Sequence, residues 1–326
     1  MYMMRDVILN FAKQFTFRPV IENKKRLKKP KQLIIAGMGG SALAGDILKS
    51  RCRSLPIVVH RNYGLPPMDY KILKQYLVIV SSYSGNTEEA IDVFKTALKK
   101  RIPLAVLTTG GTLLTLAQQS NVPYVQLPST GIQPRSASGY SFMGLVALLQ
   151  DKKLLAEAEA LSVTLKPARY KRKGKTLSGN IKGKIPVIYA SQANEAVAYN
   201  WKIKFNETGK IPAFYNVFPE LNHNEMTGFD VKQTTEKLSR LFCFIFLKDK
   251  KDPKRIQRRM EILEKIYKAR GLPLETVAIE GATPFDRIFS SLVLSDWTAY
   301  YTAEGYNFDP EHVPMVEEFK ALLKKY

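Results

Sequence analysis

Short, unbroken apolar runs alternate along this chain with longer stretches whose apolar positions recur every three or four residues. Residues 33–36, 57–60, 77–81, 104–108 and 124–127 are such runs, and 86–100 and 112–120 carry the helical spacing between them. A strand that is apolar at successive positions is covered on both faces, the mark of a parallel sheet with helices packed on each side. The connections are then right-handed crossovers. Residues 138–159, rich in Leu and Ala, read as one further helical stretch, after which 166–184 turns abruptly to Lys, Arg, Gly and Ser.

The alternation then restarts. Strands are expected at 186–190, 241–247 and 274–279, and helices at 194–205, 253–270, 286–304 and 316–325. The second half follows the order of elements of the first without repeating its sequence. The pattern predicts an α/β protein of two doubly wound domains, 1–160 and 185–326, joined by a basic linker over 161–184. The length of 326 residues suits two cores better than one.

Apolar residues make up 45% of the chain, which excludes a mostly disordered protein. No run is long enough to span a bilayer. Residues 1–18 mix charged and aromatic side chains without the apolar core of a signal peptide. Cys52 and Cys243 stand far apart with no CxxC, as expected of buried thiols in a reduced, cytoplasmic setting. The formal charge of +21, from 50 Lys and Arg against 29 Asp and Glu, changes the picture more. It fits an anionic small substrate, nucleic acid, or a general trait of the host proteome. The densest basic runs, 24–31 and 169–175, lack the alternating aromatics of a single-strand-binding platform. They read as solvated faces, so no specific nucleic-acid partner is expected, while a positive field would still steer an anionic substrate.

In an open parallel sheet, ligands bind outside the carboxyl ends of the strands. Two segments occupy that place. Gly37-Met38-Gly39-Gly40-Ser41 follows the first strand and opens a helix, so its backbone can approach a ligand near uncapped N–H donors. Ser81-Ser82-Tyr83-Ser84-Gly85-Asn86-Thr87-Glu88-Glu89 crowds hydroxyls onto a strand-to-helix turn. A simple N-cap needs one such residue. Several of them, beside helix N–H groups, suit a phosphate held without metal. His60, His223 and His312 show no HxH, HxxxH or paired-Cys spacing, so no metal site is expected.

The segment Ser-Ser-Tyr-Ser-Gly-Asn-Thr-Glu-Glu-Ala at 81–90 resembles the signature of sugar isomerase (SIS) domains. Gly37–Ser41, Gln133-Pro134-Arg135-Ser136-Ala137, Phe205-Asn206-Glu207 and Glu220-Leu221-Asn222-His223-Asn224-Glu225 narrow the resemblance to the bifunctional phosphoglucose/phosphomannose isomerase family. It extends over nearly the whole chain. The resemblance implies two flavodoxin-like SIS domains, each a parallel sheet flanked by helices. It implies a homodimer that interconverts fructose 6-phosphate with glucose 6-phosphate and mannose 6-phosphate, without metal or cofactor. Carried over by position, Ser82, Ser84 and Thr87 hold the phosphate, and Gly40 and Ser41 line the sugar. Arg135, Glu207, His223 and Lys320 do the chemistry, with His223 donated by the neighbouring subunit. The C-terminal stretch departs from the family. Where relatives read something like Asp-Pro-Thr-Pro-Val, this chain has Asp309-Pro310-Glu311-His312-Val313-Pro314, and Lys324 and Lys325 share a predicted helix with Lys320.

These residue types match the implied reaction. Aldose–ketose isomerisation moves a proton between C1 and C2 through an enediolate. Glu207 supplies a carboxylate, which suits the base. Arg135 stays charged and stabilises the oxyanion as it forms. His223 supplies an imidazole, the side-chain type suited to proton transfer during ring opening. Without the resemblance, each has an ordinary reading: a polar loop histidine, an end-of-helix carboxylate, a surface arginine. A non-catalytic SIS phosphosugar sensor and a single-specificity hexose-phosphate isomerase are the alternatives.

Overall fold

The computed structural model describes residues 3–52 and 54–323. The chain divides into two compact units, Met1–Lys166 with Ala282–Asp286, and Pro167–Gly281 with Arg287–Tyr326. Among the described residues no helix is long and apolar enough to cross a membrane.

The first unit is built on six strands: β1 (Ile21–Glu22), β2 (Leu33–Ala36), β3 (Ile57–His60), β4 (Leu77–Ser82), β5 (Leu104–Thr108) and β6 (Tyr124–Gln126). They lie in the order β1-β6-β5-β4-β2-β3, parallel throughout except for the edge strand β1. The chain leaves β2 for β3 on one side and then crosses to β4 on the other. That reversal is the flavodoxin-like switch, and it opens a crevice beyond the carboxyl ends of β2 and β4. One core joins Ile34, Val78, Val80 and Val106 to Phe94 and Leu113 of the helices Glu88–Lys99 and Gly111–Gln119.

The second unit has four parallel strands, β7 (Ile185–Ser191), β8 (Phe214–Phe218), β9 (Phe242–Lys248) and β10 (Leu274–Ala278), in the order β10-β9-β7-β8. This is the same winding, shortened. Its core is aromatic: Tyr189 lies 5.4 Å from Phe244 and 5.5 Å from Phe246 between ring centroids. Trp201 and Phe205 of the helix Glu195–Glu207 are fully buried.

Three expectations change. The helical stretch 138–159 is two helices, Ser138–Leu148 and Lys152–Thr164. Gln150 turns left-handed between them, and Asp151 caps the second by accepting from the N–H groups of Lys153 and Leu154, both at 3.0 Å. The stretch expected as a linker over 161–184 is largely helical, Pro167–Tyr170 and then Lys171–Asn180. Gly174, Leu177 and Ser178 recur at helical spacing and are buried, while its Lys and Arg residues lie on the outer face. The division between units therefore falls between Lys166 and Pro167. Finally, β8 forms where no strand was expected, pairing along one side of β7.

Candidate active site

The phosphate-type turn lies at the end of β4 in the first unit. Ser82 is fully buried. Its hydroxyl shares a hydrogen bond of 2.9 Å with the Thr87 hydroxyl and accepts from the Gly85 N–H at 3.1 Å. Thr87 occupies the cap position of the helix Glu88–Lys99, but its hydroxyl caps no backbone N–H of that helix. The first-turn N–H groups are thus left uncapped by any side chain, at the positive end of a long helix. Ser84 is exposed and accepts from the Asn86 N–H at 3.3 Å.

The neighbouring loop after β5 braces this turn. Thr109 donates its hydroxyl to the Tyr83 carbonyl at 2.6 Å, and Asn86 Oδ1 accepts from both the N–H and the hydroxyl of Thr112 at 3.0 Å. Gly85 has φ +71°, and a Cβ there would stand 1.7 Å from the Gly110 carbonyl oxygen. Backbone conformation and space both demand glycine. Gly85→Ala is therefore expected to displace the turn and weaken sugar-phosphate binding by tenfold or more. On the reading of this turn as a phosphate site, Ser82→Ala removes the hydroxyl that orders Thr87 and Gly85 and is expected to weaken binding by about 10- to 100-fold. Titration calorimetry with fructose 6-phosphate checks both, and binding within twofold of wild type would refute the assignment.

Ser41 ties the two switch-point turns together. Its hydroxyl accepts from the Tyr83 N–H at 2.9 Å, and its carbonyl accepts from the Ser81 hydroxyl at 3.0 Å. Gly40 begins the helix Gly40–Arg51, and a Cβ there would lie 2.9 Å from the Arg135 backbone nitrogen. This close approach seats the short turn Pro134–Ser136 against the helix start. Arg135 is buried, at 2% exposure. A buried guanidinium is costly unless it meets negative charge. Gln14 holds the same turn from 122 residues away: its amide donates to the Ser136 carbonyl at 2.7 Å and accepts from the Gly139 N–H at 3.0 Å. Gly40, Ser41, Ser82, Thr87 and Arg135 are thus connected through one network of contacts. Sequence reading did not find Gln14, because a lone glutamine near the N-terminus carries no motif.

The second unit carries the other candidates. Glu207 is the last residue of the helix Glu195–Glu207 and is half-buried. One turn earlier, Lys204 meets Asp296 of the helix Pro284–Gly305 at 2.6 Å, both side chains almost wholly buried. His223 follows the short turn Glu220–Asn222 and is exposed. Its segment is nonetheless pinned. Leu221 is fully buried, and the Asn224 side chain caps the Glu225 N–H at 2.6 Å. Glu225 in turn accepts from the Tyr189 hydroxyl at 2.6 Å and from the Asn216 amide. Burial, with Tyr267 and Glu225 close by, pushes the Tyr189 phenol far above its ordinary range, so it remains a donor. Glu225 lay inside the motif read around His223, yet its partner Tyr189 is 36 residues away and invisible to spacing.

Lys320 lies in the helix Pro314–Leu323, none of whose residues is buried. That helix starts at Pro314, where the sequence displaces the family's proline. Among the described residues, no hydrogen bond or ion pair joins the side chain of Lys320 or His223 to another side chain. Lys324 and Lys325 lie outside the described residues.

Two flavodoxin-like sheets, one ending in a hydroxyl-lined turn at a helix start, define a double-SIS phosphosugar protein. Residues 170–323 match the model of the bacterial phospho-glucose isomerase C-terminal SIS domain. A bifunctional phosphoglucose/phosphomannose isomerase of Aquifex aeolicus is 32% identical over 98% of each chain. Its counterpart in Caldicellulosiruptor bescii is 34% identical over 90% of this chain and 89% of that one. The C-terminal domain of glucosamine-fructose-6-phosphate aminotransferase from Francisella tularensis superposes with a TM-score of 0.69, covering 95% of this chain and 96% of that one. At 13% identity, that likeness speaks for the fold alone. The chain belongs to the bifunctional phosphoglucose/phosphomannose isomerase family, and it is an isomerase.

Proposed function

We propose that this enzyme interconverts fructose 6-phosphate with glucose 6-phosphate and mannose 6-phosphate through an enediolate, as a cytoplasmic homodimer. The observation that carries the reading is the turn Ser82–Thr87, whose hydroxyls and uncapped helix N–H groups suit a phosphate. Ser82, Ser84 and Thr87 hold the phosphate, while Gly40 and Ser41 flank the sugar. His223 of the neighbouring subunit moves the proton that opens the ring. Glu207 takes the proton from C1 of the open ketose, the electrons pass to the carbonyl oxygen, and Arg135 stabilises the resulting enediolate. His223 carries the O1 proton to O2, Glu207 returns a proton to C2, and C1 is left as the aldehyde; protonation on either face of C2 gives the two aldoses. Lys320 supplies a further positive charge near the phosphate or the oxyanion. No step calls on a metal or cofactor.

The test is a coupled assay of purified protein with fructose 6-phosphate and a chelator, following the two aldose phosphates separately. Both products are expected. One product alone would make the enzyme single-specificity, and tight binding without any product would make it a phosphosugar sensor. The dimeric part of the reading is checked by mixing inactive His223→Ala and Glu207→Gln proteins. If His223 acts across the interface, mixed dimers regain activity at one of their two sites.

A further inference from the structure

We infer that Lys210 is a positioning residue that fastens the C-terminal segment carrying Lys320 to the end of the helix carrying Glu207. The inference rests on the reading of Glu207 as the base. The Lys210 ammonium donates to the Glu207 carbonyl at 2.6 Å and also to the His312 carbonyl. These acceptors are 105 residues apart in sequence, the difference between 312 and 207. One side chain therefore bridges the end of one catalytic element and the approach to another.

The chain is bent to make that bridge. The Thr208 and Gly209 N–H groups both donate to the Lys204 carbonyl, at 2.9 and 3.0 Å, which stops the helix. Lys210 then takes φ +59°, a left-handed conformation uncommon for a residue with a side chain. The reversal brings its ammonium back under the helix terminus, where exposed carbonyls and the negative dipole end favour a cation. Asn206 donates its amide to the Ile211 carbonyl at 3.1 Å and secures the return strand of the turn.

The other end of the bridge needs a tether. No residue from Glu304 to Leu323 is buried, so hydrophobic packing does not fix that segment. Polar contacts made before the helix Pro314–Leu323 set where that helix, and Lys320 on it, will lie. A Lys ammonium is compact and offers three donors, which suits two carbonyls approaching from different directions. A shift of about 1 Å in a catalytic group costs on the order of a hundredfold in rate, so a tether of this kind bears on turnover without touching substrate.

The experiment uses full-length Lys210→Met and Lys210→Arg proteins in two measurements. The first is steady-state kinetics with fructose 6-phosphate. The second is amide hydrogen exchange over residues 312–323. For Lys210→Met we expect kcat to fall about 10- to 100-fold, KM to stay within about threefold because phosphate binding is untouched, and exchange over 312–323 to quicken. Lys210→Arg keeps a charged donor and restores part of both. Wild-type kcat in Lys210→Met, or a fall in kcat with unchanged exchange, overturns the inference. A fall in KM and kcat that Lys210→Arg does not lessen also overturns it. If the wild-type enzyme has no turnover, the reading of Glu207 fails, and unchanged exchange in Lys210→Met still separately removes the tether.

Discussion

Glu207→Gln is expected to lower kcat for fructose 6-phosphate by about 10²- to 10⁴-fold, the usual worth of a positioned general base. Binding should stay within a few-fold of wild type. Gln matches Glu in size and loses only the ability to take a proton. The groups proposed to hold the phosphate, Ser82, Ser84 and Thr87, belong to the other unit of the chain and keep their own hydrogen bonds. The helix that ends at Glu207 is set by its buried residues, Trp201 and Phe205 among them, rather than by the carboxylate. Steady-state kinetics together with calorimetric binding separates the two effects. Retained turnover in Glu207→Gln would remove Glu207 from the chemistry. Loss of binding in parallel with loss of rate would recast it as a ligand contact.

Lys204→Met carries the largest expected effect on stability. The Lys204 ammonium lies 2.6 Å from Asp296 Oδ1, with side-chain exposures of 2% and 4%. Removing one member of a buried pair takes from the other the charge that offsets its desolvation and costs about 3–5 kcal/mol. Replacing both, as in Lys204→Met with Asp296→Leu, is expected to recover most of the loss, because the desolvation of two charges disappears along with their attraction. Urea unfolding of the three proteins gives the comparison. A single variant within about 1 kcal/mol of wild type would show that the pair is not desolvated as its burial indicates. Since Lys204 stands one turn before Glu207, the single variant should also disturb turnover, and the double variant less so.

Much of this was legible in the sequence because the signals were local. Buried parallel strands such as Leu33–Ala36 and Leu104–Thr108 are apolar at successive positions, and a hydroxyl-rich strand-to-helix turn stands out from an ordinary cap. The strand Phe214–Phe218 was not legible. It is a side strand of the second sheet, Asn216 interrupts its apolar run, and its first residue is exposed. The helix Lys171–Asn180 was hidden by its charges: few residues face inward, and the surrounding Lys and Arg give the composition of a linker. The supports of the site were invisible for a different reason. Gln14 with Ser136, Tyr189 with Glu225, and Lys210 with His312 are pairs made by the fold across 122, 36 and 102 residues. No spacing rule reaches that far. The residues proposed to meet the substrate leave a motif, while the residues that hold them in place leave only contacts.

The central claim is that this chain moves a proton between C1 and C2 of a hexose 6-phosphate. Its most direct test is to equilibrate the wild-type enzyme with fructose 6-phosphate in D₂O and read C2 of the products by NMR. The account predicts glucose 6-phosphate and mannose 6-phosphate, both carrying deuterium at C2, as expected when a carboxylate exchanges its proton with solvent between removal and return. Bound fructose 6-phosphate that yields no aldose and takes up no deuterium at C1 would contradict it.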